Sequence, residues 1–594
     1  MAYVLLEQQK LDFKLRTLEF KLNQWQRRMT DEDVTAKIHT GKIRGSKRLS
    51  IYNKVYYSFE HIPYALPPTG DLRFRAPKPM TSWNHVKDCS YNGPKCIQLN
   101  PMDLKIDGSE DCLFVNVYTN NLKPIKPRAI MFWVHGGAFQ FGEASSEYYG
   151  PEYFIEKDII LITVQYRVGA LGFLSLNEPG LHTPGNAGLK DIILALKWVK
   201  RNAACFGGNP DNVTIFGESA GGCAVHLLTL SEHARGLFHR VILQSGIATG
   251  DWAISDCASR AYELAQNAGY KGENKERLIL KYLLKLPAEE IVRAESKCVT
   301  RHDRELFGFA PCVEPYFTAH TVICKSVEEL LPHAWGNSLP MILGANSLEG
   351  LFFKRRAVMF PEVYQKLLET CTHYVPKSAA ANQESPECIE KGQKLRKIHV
   401  KGDPPSLEDM YEIISYSLYW HPLQKAIEAR LKYARKAPTF LYRFDFHSNK
   451  LINPFRLLYA SSEEETNGQS GVAHTEELSF LFSTVLAKPM ERQSREYNCL
   501  KSMISLWTHF AETGNPNSAK MADIKWRPLQ DRNSSNSIES STYKCLNIGD
   551  ELKFIDLPEM EKLKVWQSLY EMHRTMPENT RGGVDVTSYA KSSL

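Results

Sequence analysis

No run of eighteen apolar residues occurs in the 594-residue chain, so no segment reads as a membrane-spanning helix. The opening stretch MAYVLLEQQK holds a single six-residue apolar run, too short for the apolar part of a secretory leader. The closing AKSSL is not an ER-retention tetrapeptide. Lys and Arg exceed Asp and Glu by only six, without basic blocks interleaved with aromatics, which argues against a nucleic-acid partner. Thirteen cysteines, an odd number spread widely, do not make the paired framework of a small disulfide-stapled scaffold. Internal repeats are absent too. These absences set an expectation of a cytoplasmic, non-secreted protein. What is present is an ordinary globular composition, 43% hydrophobic and 24% charged, on a chain long enough for a large core.

Near the start, Leu11, Leu15, Leu18, Leu22 and Trp25 recur at helical spacing among Lys10, Lys14, Arg16, Lys21, Arg27 and Arg28. Residues 1–29 therefore read as a basic amphipathic helix. Residues 1–28 suit peripheral contact with an anionic surface, such as the ER membrane or a lipid droplet, or packing on the chain's own main domain or a partner chain. No feature sets an oligomeric state.

Residues 30–575 read as one large domain and 576–594 as a polar tail. Short runs apolar at every position recur within the domain: AIMFWV (129–134), IILITV (159–164), VTIF (213–216), RVILQS (240–245), PMILGAN (340–346) and FLYRFDF (440–446). Such runs suit strands covered on both faces. The stretch 186–207 reads as a crossover helix ending before Gly207, and 559–573 as a C-terminal helix. Polar stretches at 376–408, 460–471 and 531–543 read as surface loops or insertions. The fold class expected is α/β, a large and mostly parallel central sheet with helices on both faces.

One run ends in a distinctive turn, VTIFGESAGG (213–222), which sets Ser219 among Gly217, Ala220 and Gly221 between a strand and a helix. A strained strand–turn–helix of this kind lifts a hydroxyl out of the backbone as a nucleophile. With 36 glycines in the chain the match alone settles nothing. An acyl-transfer site also needs amide donors for an oxyanion, from backbone that approaches substrate without intervening side chains. WVHGGAFQFG (133–142), directly after a strand, offers that.

Taken with SEDCLFVNVY (109–118), QYRVGALGF (165–173), GNAGLKD (185–191), SLEG (347–350) and GVAHTEEL (471–478), all in one order, the chain resembles the type-B carboxylesterase/cholinesterase family of the α/β-hydrolase fold, most of all the insect α-esterases. The resemblance implies a Ser219 nucleophile, a Glu349 acid and a His474 base, with the oxyanion hole at the amides of Gly137, Ala138 and Ala220. It implies no metal or cofactor, and small-molecule esters as partners. Ala138 departs from the commoner glycine, and its methyl group narrows the approach of bulky acyl groups. The resemblance pairs Cys96 with Cys112 in a disulfide, and Arg167 with Asp191 and Arg73 with Glu110 as structural ion pairs. A second family disulfide finds no good match, since Cys298 follows Cys257 only some forty residues on.

The implied activity is that of a serine carboxylesterase on short- to medium-chain xenobiotic or lipid esters, phosphorylated by organophosphates. The loop between Cys96 and Cys112 has no tryptophan, which disfavours choline esters. Juvenile hormone esterases usually carry glutamine where Glu218 stands. Glu218 reads as a buried hydrogen-bonding residue of the site floor, and Trp252 as either an acyl-pocket wall or plain core. The alternatives are an interfacial lipase and a catalytically inactive adhesion-type relative.

Overall fold

The computed structural model describes Glu19 and residues 34–570, apart from 102, 299–307, 451–454, 457–458, 460–470, 486–488, 519–523 and 535–541. Apart from Glu19, the helix read at residues 1–29 lies outside the described residues, as do the tail 576–594 and most of the polar stretches 460–471 and 531–543.

Twelve strands in chain order carry one sheet: β1 Val34–Ile38, β2 Gly41–Leu49, β3 Val55–Pro63, β4 Phe114–Thr119, β5 Arg128–Val134, β6 Ile159–Val164, β7 Gly208–Glu218, β8 Arg240–Gln244, β9 Met341–Asn346, β10 Thr439–Phe444, β11 Lys544–Ile548 and β12 Leu552–Asp556. Their spatial order is β1-β2-β3-β4-β6-β5-β7-β8-β9-β10-β11-β12, with Val86–Asp88 added beside β2. Every neighbouring pair from β6 to β11 is parallel, while the edges β1–β4 and β12 pair antiparallel. All six apolar runs of the sequence are therefore strands of the parallel centre.

Alternation along β5 shows why those runs lack a polar face. Ile130, Phe132 and Val134 point into one core cluster, and Met131 and Trp133 into a second on the opposite face. Both faces are covered, so both sets must be apolar. Helix α1 (Ala187–Asn202) crosses from β6 to β7 and ends in a 3₁₀ turn, Ala203–Phe206, which Gly207 closes at φ 81°. Helix α2 (Ala220–Leu230) follows β7, and every one of its residues is buried.

The polar stretch 376–408 departs from the loop expectation. It contains α3, Pro386–His399, whose start is set by Pro386 and by the Ser385 hydroxyl accepting from the Cys388 N–H at 3.1 Å. Its buried stripe runs through Cys388, Lys391, Gly392, Leu395 and His399. Lys391 is buried because its Nζ donates to the Ala379 carbonyl (2.9 Å) and to Glu387 (2.6 Å), a pairing that hydropathy cannot signal.

Candidate active site

The turn at Ser219 is the first element of the candidate site. β7 runs in parallel register beside β5 and β8 as far as Glu218. Ser219 then takes φ 56°, ψ −126°, and α2 begins. A non-glycine residue held there stores strain of about 1–3 kcal/mol. Small neighbours make the turn sterically possible. A Cβ on Gly221 would lie 2.1 Å from the Val134 carbonyl oxygen, and one on Gly246 would lie 1.8 Å from that of Ser219. The Ser219 N–H donates to the Gln244 carbonyl at 2.8 Å, and its own carbonyl accepts from the Cys223 N–H at 3.0 Å. Ser219 thus caps α2, where the dipole favours negative charge and the Ala220 N–H has no intrahelical acceptor.

The loop after β5 packs against this turn. A Cβ on Gly136 would meet that of Ser219 at 3.1 Å. Gly137, Ala138 and Phe139 all have positive φ, at 106°, 58° and 61°. The Gly137 carbonyl accepts from the Gln140 and Phe141 N–H groups at 2.9 and 3.0 Å, and that of Phe139 accepts from Gly169 at 2.6 Å. The tight turn leaves no room at Gly137, where a Cβ would lie 2.0 Å from the Phe141 oxygen. Ala138 bears its methyl group in the left-handed region at a cost of about 1 kcal/mol.

The remaining two members meet beyond β9 and β10. Leu348 N–H donates to the Val472 carbonyl at 3.0 Å and His474 N–H to that of Glu349 at 3.3 Å, which draws the two loops together. His474 Nδ1 lies 2.7 Å from Glu349 Oε2. The other carboxylate oxygen, Oε1, accepts from the Asn346 N–H at 2.6 Å and the Ser245 hydroxyl at 2.5 Å. His474 Nε2 reaches Glu218 Oε1 at 3.0 Å, which brings the imidazole to the residue beside Ser219. The Tyr419 and Phe352 rings flank it at 4.6 and 5.4 Å.

The site is buried and electrostatically crowded. Burial acts to lower His474, but the carboxylates of Glu218 and Glu349 outweigh it and hold the imidazole above the ordinary histidine range. Burial pushes Glu218 up, with His474 opposing and Glu349 reinforcing. The two groups therefore compete for one proton. Replacing Glu218 by glutamine removes a charge that favours imidazolium, so His474 titrates lower. The acid limb of kcat/KM then moves to lower pH. A pH–rate profile that does not move would take Glu218 out of the base's environment.

Two residues of the site were not singled out from sequence. Ser245, at φ 49° just past β8, helps fix the Glu349 carboxylate. Glu477, fully buried, accepts from Asn346 Nδ2 at 2.8 Å and from Gln244 Nε2 at 3.2 Å. Burial, then the charges of Glu218 and Glu349, push it up to about 8. The position of each at the carboxyl end of a parallel strand, or in the loop beyond one, is the signal that could have found it.

Trp252 stands one layer back. Its ring lies 6.4 Å from that of Phe139, and its Nε1–H donates to the Leu418 carbonyl at 2.9 Å. Cys96 and Cys112 are disulfide-bonded. Arg73 with Glu110 and Arg167 with Asp191 form the implied ion pairs, each through two side-chain hydrogen bonds. All four side chains serve structure, since none of these contacts reaches the triad.

Residues 32–562 match the carboxylesterase family. Esterase B1 of Culex pipiens is 33% identical over 551 residues, covering 91% of this chain and 99% of that protein. Venom carboxylesterase-6 of Apis mellifera is 30% identical over 520 residues, 85% of this chain and 90% of that one. Among solved structures, the juvenile hormone esterase of Manduca sexta with OTFP covalently attached superposes with a TM-score of 0.78 at 29% identity. It covers 91% of this chain and all of that one. These relatives overturn the expectation of a cytoplasmic, non-secreted protein. A venom enzyme is a protein of a secreted fluid, and a Cys96–Cys112 disulfide is of the kind that persists in oxidising compartments.

Proposed function

The chain belongs to the carboxylesterase family and is a carboxylic ester hydrolase, and from that premise we propose that it works through an acyl-enzyme on Ser219. His474 takes the serine proton and returns it to the leaving alcohol. Glu349 fixes the imidazole tautomer and stabilises the imidazolium. The amides of Gly137, Ala138 and Ala220 hold the oxyanion, where the loss of one donor costs about 100- to 1000-fold in turnover.

The observation that carries this reading is the imidazole held between Glu349 and the residue adjoining Ser219. The covalent OTFP adduct of the Manduca sexta relative is consistent with it. Short- to medium-chain esters with an apolar acyl group are the substrates, and organophosphates phosphorylate the same hydroxyl. A fluorophosphonate probe tests the assignment: the wild type is labelled at Ser219 and the Ser219→Ala variant is not. Labelling that persists in the variant overturns the nucleophile.

Trp252 shapes the acyl side of the pocket through its contact with Phe139 in the oxyanion loop. Trp252→Leu is expected to raise kcat/KM for branched acyl esters about tenfold relative to acetate, a gain of about 1.4 kcal/mol in discrimination. Unchanged relative rates on a panel of p-nitrophenyl esters would return Trp252 to the core.

A further inference from the structure

The carboxyl-terminal half of α1 lines a cavity of about 250 Å³ that shares no residue with the triad. Leu194, Lys197, Trp198 and Arg201 contribute from the helix, and Tyr64, Pro77 and Pro79 are among the other lining residues. The charge in it is of one sign. Lys190 is neutralised by Glu314 at 2.8 Å, but Lys197 and Arg201 have no carboxylate partner among the described residues.

These two cations stand four residues apart on one helix face, an arrangement that repels itself. His233 and His320 also face the cavity. Burial, and then the charges of Lys190, His233 and Lys197, hold His320 below the ordinary histidine range against the opposing Glu314, which records a positive local field. The helix dipole accounts for a cation in the last turn of α1. It does not account for a concave apolar lining and crowded histidines at the same place.

We propose that this cavity is a second ligand site, built for a small organic anion. An apolar or aromatic body lies against Trp198, Tyr64 and Pro77, and a carboxylate, sulfonate or phosphate oxygen is held by Lys197 and Arg201. Both cations sit at the rim, so the site loads from solvent, and its affinity falls as salt screens the pair.

Naphthalene-2-sulfonate is the probe, titrated calorimetrically into the full chain. The comparison is between wild type and Lys197→Ala/Arg201→Ala, whose exposed positions keep the fold and whose circular dichroism verifies it. One equivalent is expected to bind the wild type, with affinity falling as NaCl rises, and at least tenfold more weakly to the double variant. Neutral naphthalene-2-methanol is expected to bind both proteins alike. Equal sulfonate affinity in the two proteins, or no binding to the wild type, overturns the site. So does competitive inhibition of p-nitrophenyl acetate hydrolysis at the binding constant, which would place the probe at Ser219.

Discussion

Ser219→Ala is expected to lower kcat on p-nitrophenyl acetate by about 10⁴- to 10⁶-fold with KM little changed, and adding His474→Ala to that variant is expected to cost almost nothing more. In the proposed mechanism the two side chains act as one unit. Without the hydroxyl there is no proton for the imidazole to take, and without a neutral imidazole the hydroxyl is a weak nucleophile. What survives is the field of the α2 terminus and the amides of the oxyanion loop, which stabilise a tetrahedral intermediate whatever attacks. The substitution is mild for folding: alanine keeps a Cβ where serine has one, and Gly136 already leaves it room. Removal of the hydroxyl leaves the backbone bonds to Gln244 and Cys223 intact. Losses that multiply in the double variant would mean that His474 does not act through Ser219.

The centre of the molecule was legible because local chemistry and tertiary role coincide there. In VTIFGESAGG, apolar residues extend β7 and small residues permit the turn, and the same small residues let α2 and β5 approach. The antiparallel edge was not legible. β1 is VTAKI with every second residue exposed, and β2 is GKIRGSKRL, too polar to stand out from a loop. Helix α3 was hidden because one of its inward positions is a lysine that depends on Ala379, a partner outside the helix. Within the site, Ser219, Glu349 and His474 lie in recognisable segments. Ser245 and Glu477 gain their roles only from adjacency, since Ser245 ends an apolar strand run and touches Glu349, 104 residues further along the chain. The localisation expectation fails because a short apolar stretch near residue 1 carries less weight than the relatives and the disulfide.

Glu349→Gln is expected to lower kcat about 10⁴-fold while leaving the fold intact, and the geometry says why so small a change has so large an effect. The carboxylate is fully buried, and its two oxygens have different tasks. Oε1 accepts from both the Asn346 N–H and the Ser245 hydroxyl, so an amide placed here keeps its oxygen on that side. Its NH₂ group must then face His474 Nδ1, 2.7 Å away. Two donors cannot meet, so Nδ1 gives up its proton and the imidazole takes the tautomer with hydrogen on Nε2. That nitrogen can no longer accept from Ser219. The same substitution removes one of the two charges that hold His474 above its ordinary range, so the imidazole also becomes a weaker base. Nitrogen-15 spectra of the two proteins separate this mechanism from simple loss of charge, since the proton should move from Nδ1 to Nε2 of His474. A variant that keeps the proton on Nδ1 and retains more than a tenth of the wild-type kcat would show that Glu349 does not set the tautomer.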